Sequence, residues 1–238
     1  MNDIDILKLY FKNKQLEEKI KQYEQGIPAA YLIGEWEFFG DKYYIDENCL
    51  IPRCDTERVV EEVISSLKNK DNAYIADLCT GSGCIAISSL KRCKNASGIG
   101  IDISEGAIKI AKRNATENNV SDRVEFVCDD IFNIDLEQNK FDVIVSNPPY
   151  IPTKDLDSLD EYVKMEPITA LDGGLDGMDF YNFIVSNFSS NLKNDGKFIF
   201  EIGYNQGELI KQTASKHNFK CTVKKDYSGN PRVAILEK

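Results

Sequence analysis

Histidine is almost missing from this sequence, with His217 the only one in 238 residues. A mechanism that turns on a histidine base is therefore not expected. None of the seven cysteines forms a CxxC pair, their number is odd, and several fall in apolar runs. They read as reduced, mostly buried thiols, with no disulfide framework and no metal site. No segment approaches the roughly 20 apolar residues of a membrane helix, so no membrane partner is expected. The start, Met1-Asn2-Asp3-Ile4-Asp5, has neither basic residues nor an apolar signal core. A cytoplasmic protein is the expectation, and the four Asn-x-Ser/Thr sequons carry no glycosylation meaning. Basic residues are in deficit, 29 Lys and Arg against 39 Asp and Glu, for a net charge of −10. That balance argues against direct nucleic-acid binding, which needs cations facing phosphates. Internal repeats and low-complexity tracts are absent as well.

What is present is an ordinary globular composition, 42% apolar and 29% charged, of a length for one large domain or one with a small attachment. Apolar residues at helical spacing predict one helix over 4–23, ended by Gly26-Ile27-Pro28. Aromatic runs on either side of Gly40-Asp41 predict a β-hairpin. Asp55 reads as the N-cap of a helix through Val59, Val63 and Leu67. From Ala73 onward strands alternate with helices. Strands are expected at 73–78, 98–102, 124–128, 141–146 and 197–202, and helices at 82–90, 105–118, 179–192 and 206–217. Residues 151–177 read as one long loop, and 221–225 with 232–236 as a closing antiparallel pair. Repeated βα units imply a mostly parallel sheet with helices on both faces.

Chemistry concentrates where strands end. Asp77-Leu78-Cys79-Thr80-Gly81-Ser82-Gly83 closes the first strand and opens a helix, and its glycines permit a tight turn and close approach of a ligand. Asp102 ends the next strand, where a carboxylate can accept both hydroxyls of a ribose; a helix N-cap is the plainer role for the same residue. Asp129 and Asp130 follow the third strand, with Asp130 the better placed of the two. Asn147-Pro148-Pro149-Tyr150 follows the apolar run at 141–146. Two prolines fix φ and donate no backbone hydrogen bonds. The turn thus offers carbonyls and an Asn amide as acceptors beside an aromatic ring, which suits a planar –NH2 group. Open α/β sheets place ligands at such strand ends.

The acid four residues before the first glycine resembles the S-adenosylmethionine loop of Rossmann-like methyltransferases. With Asp102, Asp130 and the Asn-Pro-Pro-Tyr turn in order, the chain resembles enzymes that methylate an exocyclic or amide nitrogen. Flanking runs narrow the resemblance: Pro28-Ala29-Ala30-Tyr31-Leu32-Ile33-Gly34, Ile51-Pro52-Arg53-Cys54-Asp55-Thr56-Glu57, Glu166-Pro167, Ala170-Leu171-Asp172-Gly173-Gly174 and Glu201-Ile202-Gly203-Tyr204-Asn205-Gln206-Gly207. These are similar to the HemK/PrmC family of release-factor glutamine N5-methyltransferases. The likeness runs from Pro28 to the C-terminus. Two departures stand out. About one helix precedes Pro28, where the family carries several, and Cys54 replaces a customary proline.

The resemblance implies a seven-stranded, mostly parallel α/β sheet. It implies a residual N-terminal helix at 1–27, a β-hairpin linker at 28–54 and the methyltransferase domain at 55–238. It also implies S-adenosyl-L-methionine as cofactor, S-adenosyl-L-homocysteine as product and peptide chain release factors as protein substrate. The cofactor residues would be Asp77, Cys79, Thr80, Gly81, Ser82, Gly83, Asp102, Asp130, Ile131 and Asn147. Asn147, Pro148, Pro149 and Tyr150 would hold the substrate, with Asn147, Pro148 and Tyr150 catalytic. Glu166 and the Asp172-Gly173-Gly174 turn would shape the peptide entrance. Arg53 and Glu57 read either as a structural ion pair or as part of the site. Glutamine methylation of a ribosomal protein, adenine-N6 methylation of nucleic acid and a non-catalytic binding role are the competing readings.

Overall fold

The structure is a computed structural model that describes residues 2–136 and 140–238. Two helices, α1 (Asp3–Tyr10) and α2 (Asn13–Glu24), replace the single helix expected at the N-terminus. Phe11 and Lys12 are extended between them, and Asn13 takes a φ of +50°, which asparagine tolerates better than most residues. The break folds the pair back, so that Leu7, Phe11, Leu16, Ile20 and Tyr23 share one apolar cluster with α3 (Ala29–Ile33).

The expected hairpin is β1 (Glu35–Phe38) with β2 (Asp41–Tyr44). Both residues of its turn, Phe39 and Gly40, have positive φ, the form that matches the strand twist. The hairpin is fixed to the rest of the chain through Asp41, which pairs with Lys91 at 2.5 Å and Arg92 at 2.8 Å. Tyr43, fully buried, adds a 2.6 Å hydroxyl hydrogen bond with Ser88. A short helical turn at Cys54–Thr56 precedes α4 (Glu57–Leu67). That turn places Asp55 before the helix start, so it is not the N-cap; its carboxylate lies 3.4 Å from Arg232 instead.

The main sheet contains β3 (Ala73–Leu78), β4 (Ala96–Asp102), β5 (Val124–Cys128), β6 (Phe141–Ser146), β7 (Leu192–Glu201), β8 (Lys220–Lys225) and β9 (Pro231–Glu237). Their order is β5-β4-β3-β6-β7-β9-β8, with β5 to β7 parallel and β9 antiparallel to both of its neighbours, β7 and β8. Alternate residues face opposite sides, as the strand pleat requires. Ile75, Val143, Val145 and Ile199 meet α4, α5 (Cys84–Arg92) and α6 (Glu105–Glu117). Ala76, Leu78, Ile144 and Phe198 meet α8 (Asp179–Phe188) and α9 (Gly207–Lys216). Because β4 and β6 leave β3 on opposite sides, the crevice of this sheet opens over the C-terminal ends of β3, β4 and β6.

Most element ends fall within two residues of expectation; two move further, and one segment differs in kind. β7 begins at Leu192, ahead of the apolar run, because a register shift against β6 accommodates the polar residues 193–196. That shortens α8 to Phe188. The 151–177 segment is not a plain loop. It holds helical turns at Thr153–Ser158, α7 (Glu161–Lys164) and Ile168–Ala170, entered through Pro152, Asp160 and Pro167. Among the seven free cysteines, Cys49 and Cys84 are buried while Cys54 and Cys128 are exposed, so fewer thiols are enclosed than the apolar runs suggested. Cys54 lies in the turn before α4 and Cys128 at the end of the edge strand β5.

Candidate functional site

The chain turns sharply after β3. Cys79, Gly81 and Gly83 take φ values of +58°, +55° and +79°. A left-handed cysteine costs about 1–2 kcal/mol, so the surrounding contacts must impose it. They do: the Thr80 N–H donates to Ile101 O at 2.9 Å, and the Gly81 N–H donates to Asp102 Oδ2 at 2.8 Å. Asn114 of α6 ties the loop to the hairpin, donating to both Ser82 O and Tyr44 O at 2.9 Å. Gly83 serves packing, since a Cβ there would lie 2.9 Å from Ile87 Cδ1 and 3.1 Å from Phe126 Cζ.

Asp102 ends β4 with each oxygen holding one backbone N–H, Gly81 at 2.8 Å and Ser104 at 3.0 Å. The N-cap of α6 is Ser104, which accepts from the Ala107 N–H, so Asp102 does not cap that helix. Each Asp102 oxygen retains capacity for another donor. Asp130 accepts from the Phe132 N–H at 3.0 Å and the Asn133 amide at 2.8 Å. Asn147 follows β6, and its side chain has no hydrogen-bond partner among the described residues. Pro148 and Pro149 are buried.

These strand ends surround one cavity of about 380 Å³. Of the residues named from sequence, Cys79, Thr80, Gly81, Ser82, Asp102, Asp130, Ile131, Asn147 and Pro149 line it. Asp77, Gly83, Pro148 and Tyr150 do not. Asp77 lies behind the loop, fully buried, with Oδ2 accepting from Thr80 Oγ1 at 2.7 Å and the Ala86 N–H at 3.1 Å. Its Oδ1 has no partner. The site residues assigned from sequence leave out much of the remaining wall, although the flanking motifs run through parts of it. Cys49, Leu50, Pro52 and Thr56 come from the segment before α4, and Phe132 and Phe180 add an aromatic side. Phe132 is 41% exposed yet lies edge-on to Phe180 at 5.1 Å. An exposed phenylalanine after a strand was the available signal.

Burial dominates the electrostatics. It pushes the Asp77 carboxyl up to about 7 and raises Asp102 as well, against the hydrogen bonds that lower both. It also holds the Cys49, Cys79 and Cys84 thiols above their ordinary range. The Arg53–Glu57 pair expected from sequence does not form. Arg53 pairs with Glu166, whose other oxygen accepts from the Ile51 N–H at 3.0 Å. Glu57 instead accepts from the Phe39 N–H at 2.8 Å. Glu166 lies outside the cavity wall, but the residues after it, Pro167 to Ala170, are part of it.

A mostly apolar cavity with the carboxylates of Asp102, Asp130 and Asp172 in its wall suits a nucleoside, and the loop at 79–82 offers no cationic side chain for a pyrophosphate. His217, at the end of α9, meets Ser186 at 3.3 Å and is no part of the wall.

A family profile described as a methyltransferase domain matches residues 69–234. A release factor glutamine methyltransferase of Fusobacterium nucleatum is 39% identical over 229 residues, covering 95% of this chain and 64% of that protein. One from Aquifex aeolicus is 35% identical, covering 98% of this chain and 81% of the relative. Among solved structures, the release-factor-specific protein-(glutamine-N5) methyltransferase of Alicyclobacillus acidocaldarius is 27% identical, with a TM-score of 0.50 over 82% of this chain and 99% of that one. Sheet order, strand-end site and similarity along nearly the whole length agree, and the chain belongs to the release factor glutamine methyltransferase family.

Proposed function

We propose that this protein transfers a methyl group from S-adenosylmethionine to the side-chain amide nitrogen of the glutamine in the GGQ motif of class-1 release factors. The observation that carries the reading is the unpartnered Asn147 amide at the end of β6, in the same cavity wall as Asp102 and the 79–82 loop. Asp102 would accept the ribose hydroxyls. Ile131 and Phe132 would flank the base, with Asp130 toward its amine. Asp77 would act from behind the loop, holding Thr80 in place, and Gly83 would let α5 start close to β5. When bound, the cofactor supplies a methyl group already activated by a sulfonium charge.

The acceptor is a poor nucleophile, because its lone pair is delocalised into the amide carbonyl. Orientation is therefore the main task of the protein. Asn147 Oδ1 and the Pro148 carbonyl would accept the two amide N–H bonds, fixing the nitrogen and favouring its pyramidal form as charge develops. The Tyr150 ring, expected from sequence to support that charge directly, lies outside the cavity wall and packs on the core, so it would act by bracing the turn. The methylated nitrogen can lose its proton to water, so no general base is needed.

A labelled-methyl assay should offer intact release factor, its GGQ glutamine variant, ribosomal proteins and DNA. Label is expected in the intact release factor alone. Label in the glutamine variant, or only in ribosomal protein or DNA, would reject the reading. Asn147→Ala should abolish transfer while leaving cofactor affinity, measured by calorimetry, within a few-fold.

A further inference from the structure

Glu201 ends β7 and Gly207 begins α9, and the run from one to the other carries two buried polar side chains, Glu201 and Gln206, that have no part in the chemistry above. Gln206 is 3% exposed, and three hydrogen bonds hold its amide. Nε2 donates to Tyr150 O and to Gly177 O, both at 3.0 Å. Oε1 accepts from the Gly203 N–H at 2.8 Å. The Tyr181 hydroxyl lies 3.5 Å from the same oxygen but gives its proton to Glu201 O at 2.8 Å. One amide thus joins the Asn-Pro-Pro-Tyr turn, the end of the 151–177 segment and the exit of β7. A buried amide with both donors and its oxygen engaged is a rigid junction.

Glu201 is 2% exposed. It accepts from Thr56 Oγ1 at 2.6 Å and, by a longer bond of 3.4 Å, from the Tyr150 hydroxyl. Burial raises its carboxyl, and the Arg232 guanidinium nearby offsets part of that rise. Tyr150 is therefore held at both ends, its carbonyl by Gln206 and its hydroxyl by Glu201. These are the two side chains that hydrogen-bond to the 147–150 turn among the described residues. The turn needs outside support, because its prolines donate no backbone hydrogen bonds. Glycine backbones close the other side: a Cβ at Gly177 would lie 2.3 Å from Tyr150 O, and one at Gly173 2.7 Å from Tyr150 Cα.

We propose that Gln206 and Glu201 are positioning residues that fix the direction of the Asn-Pro-Pro-Tyr turn, and so the alignment of the acceptor amide, without touching substrate or cofactor. The proposal rests on that turn being the acceptor site.

The test combines release-factor kinetics, cofactor calorimetry and thermal denaturation. Gln206→Met fills the same space without the three bonds. Its kcat should fall about a hundredfold, the scale of a 1 Å misplacement, with cofactor affinity and the KM for release factor within a few-fold of wild type. Glu201→Gln keeps one acceptor oxygen and presents an NH2 that can donate to the second hydroxyl, so it should retain most of kcat. Glu201→Leu and Tyr150→Phe should each lose about tenfold, and the double variant no more than Glu201→Leu alone. Wild-type kcat in Gln206→Met would overturn the proposal, as would full additivity of the Glu201→Leu and Tyr150→Phe losses. If Gln206→Met does not fold, the Glu201–Tyr150 cycle decides alone. Asn147→Ala is the reference: activity retained there would reject the acceptor-site reading itself, and the proposal with it.

Discussion

Asp77 shows how much a single residue can carry without reaching the cavity. Its carboxyl is fully enclosed and held near 7 by burial, against an ordinary value of 3.8. Between those values the folded chain keeps a proton that the unfolded chain has released. The stability contributed by this group is full below about pH 4 and is lost as pH rises through about 7, on the order of 4 kcal/mol at most. Asp77→Asn cannot titrate and should remove that dependence. From about pH 5 to about pH 8, the melting temperature of wild type should fall relative to the variant; parallel curves would refute the assignment. Asp102 and Asn147 were legible in sequence as cavity residues because each follows an apolar run; Asp77 was expected to contact the cofactor and instead lies behind the loop. The partner of Arg53 was not legible. Glu166 lies 113 positions away, and local spacing favoured Glu57, only four residues on.

At the scale of elements, regular strands were read best. Ala73–Leu78, Val124–Cys128 and Phe141–Ser146 were legible as apolar runs with polar ends. The N-terminal helix was misread because its break contains neither glycine nor proline; burial of Leu7 and a left-handed Asn13 impose it. The turns of the 151–177 segment are too short for periodicity to register, although Pro152 and Pro167 mark two of their starts. Glu166 ties that segment to residues 51–53, ahead of the turn that leads into α4. Glu166→Ala leaves Arg53 and the Ile51 N–H without their acceptor. A loss of about 2 kcal/mol, or about 4–8 °C in melting temperature, is expected. The KM for release factor should rise more than kcat falls. An unchanged KM would separate this tie from substrate entry.

Across the whole molecule, the N-terminal helices reach the same segment. Tyr23 of α2 stacks on Tyr162 of α7 with ring centroids 5.0 Å apart and planes 20° from parallel. No sequence pattern joins two tyrosines so far apart; only the return of the chain over the sheet does. Such a pair contributes about 0.5–1.5 kcal/mol beyond its buried area. Tyr23→Ala should therefore raise the KM for release factor about 2–10-fold and leave cofactor affinity unchanged. Equal changes in both would mean that the stack supports the fold rather than the entrance. The βα alternation made the sheet legible, but not which strand-end residues share a wall. That depends on the 45–56 and 167–172 segments folding over the cavity, a long-range event.

Cys49, Cys79 and Cys84 all face that cavity. A sulfonium methyl is an indiscriminate alkylating agent, and thiolates are stronger nucleophiles than any amide. Burial pushes the Cys49 thiol up to about 12 and raises Cys79 and Cys84 too. All three therefore keep their protons at neutral pH. Under the proposed function, the wall that would hold the donor is in this way passivated against it: three soft sulfur atoms would supply polarisable contact, and the methyl group would remain available to the weaker nitrogen nucleophile instead of being consumed by self-alkylation.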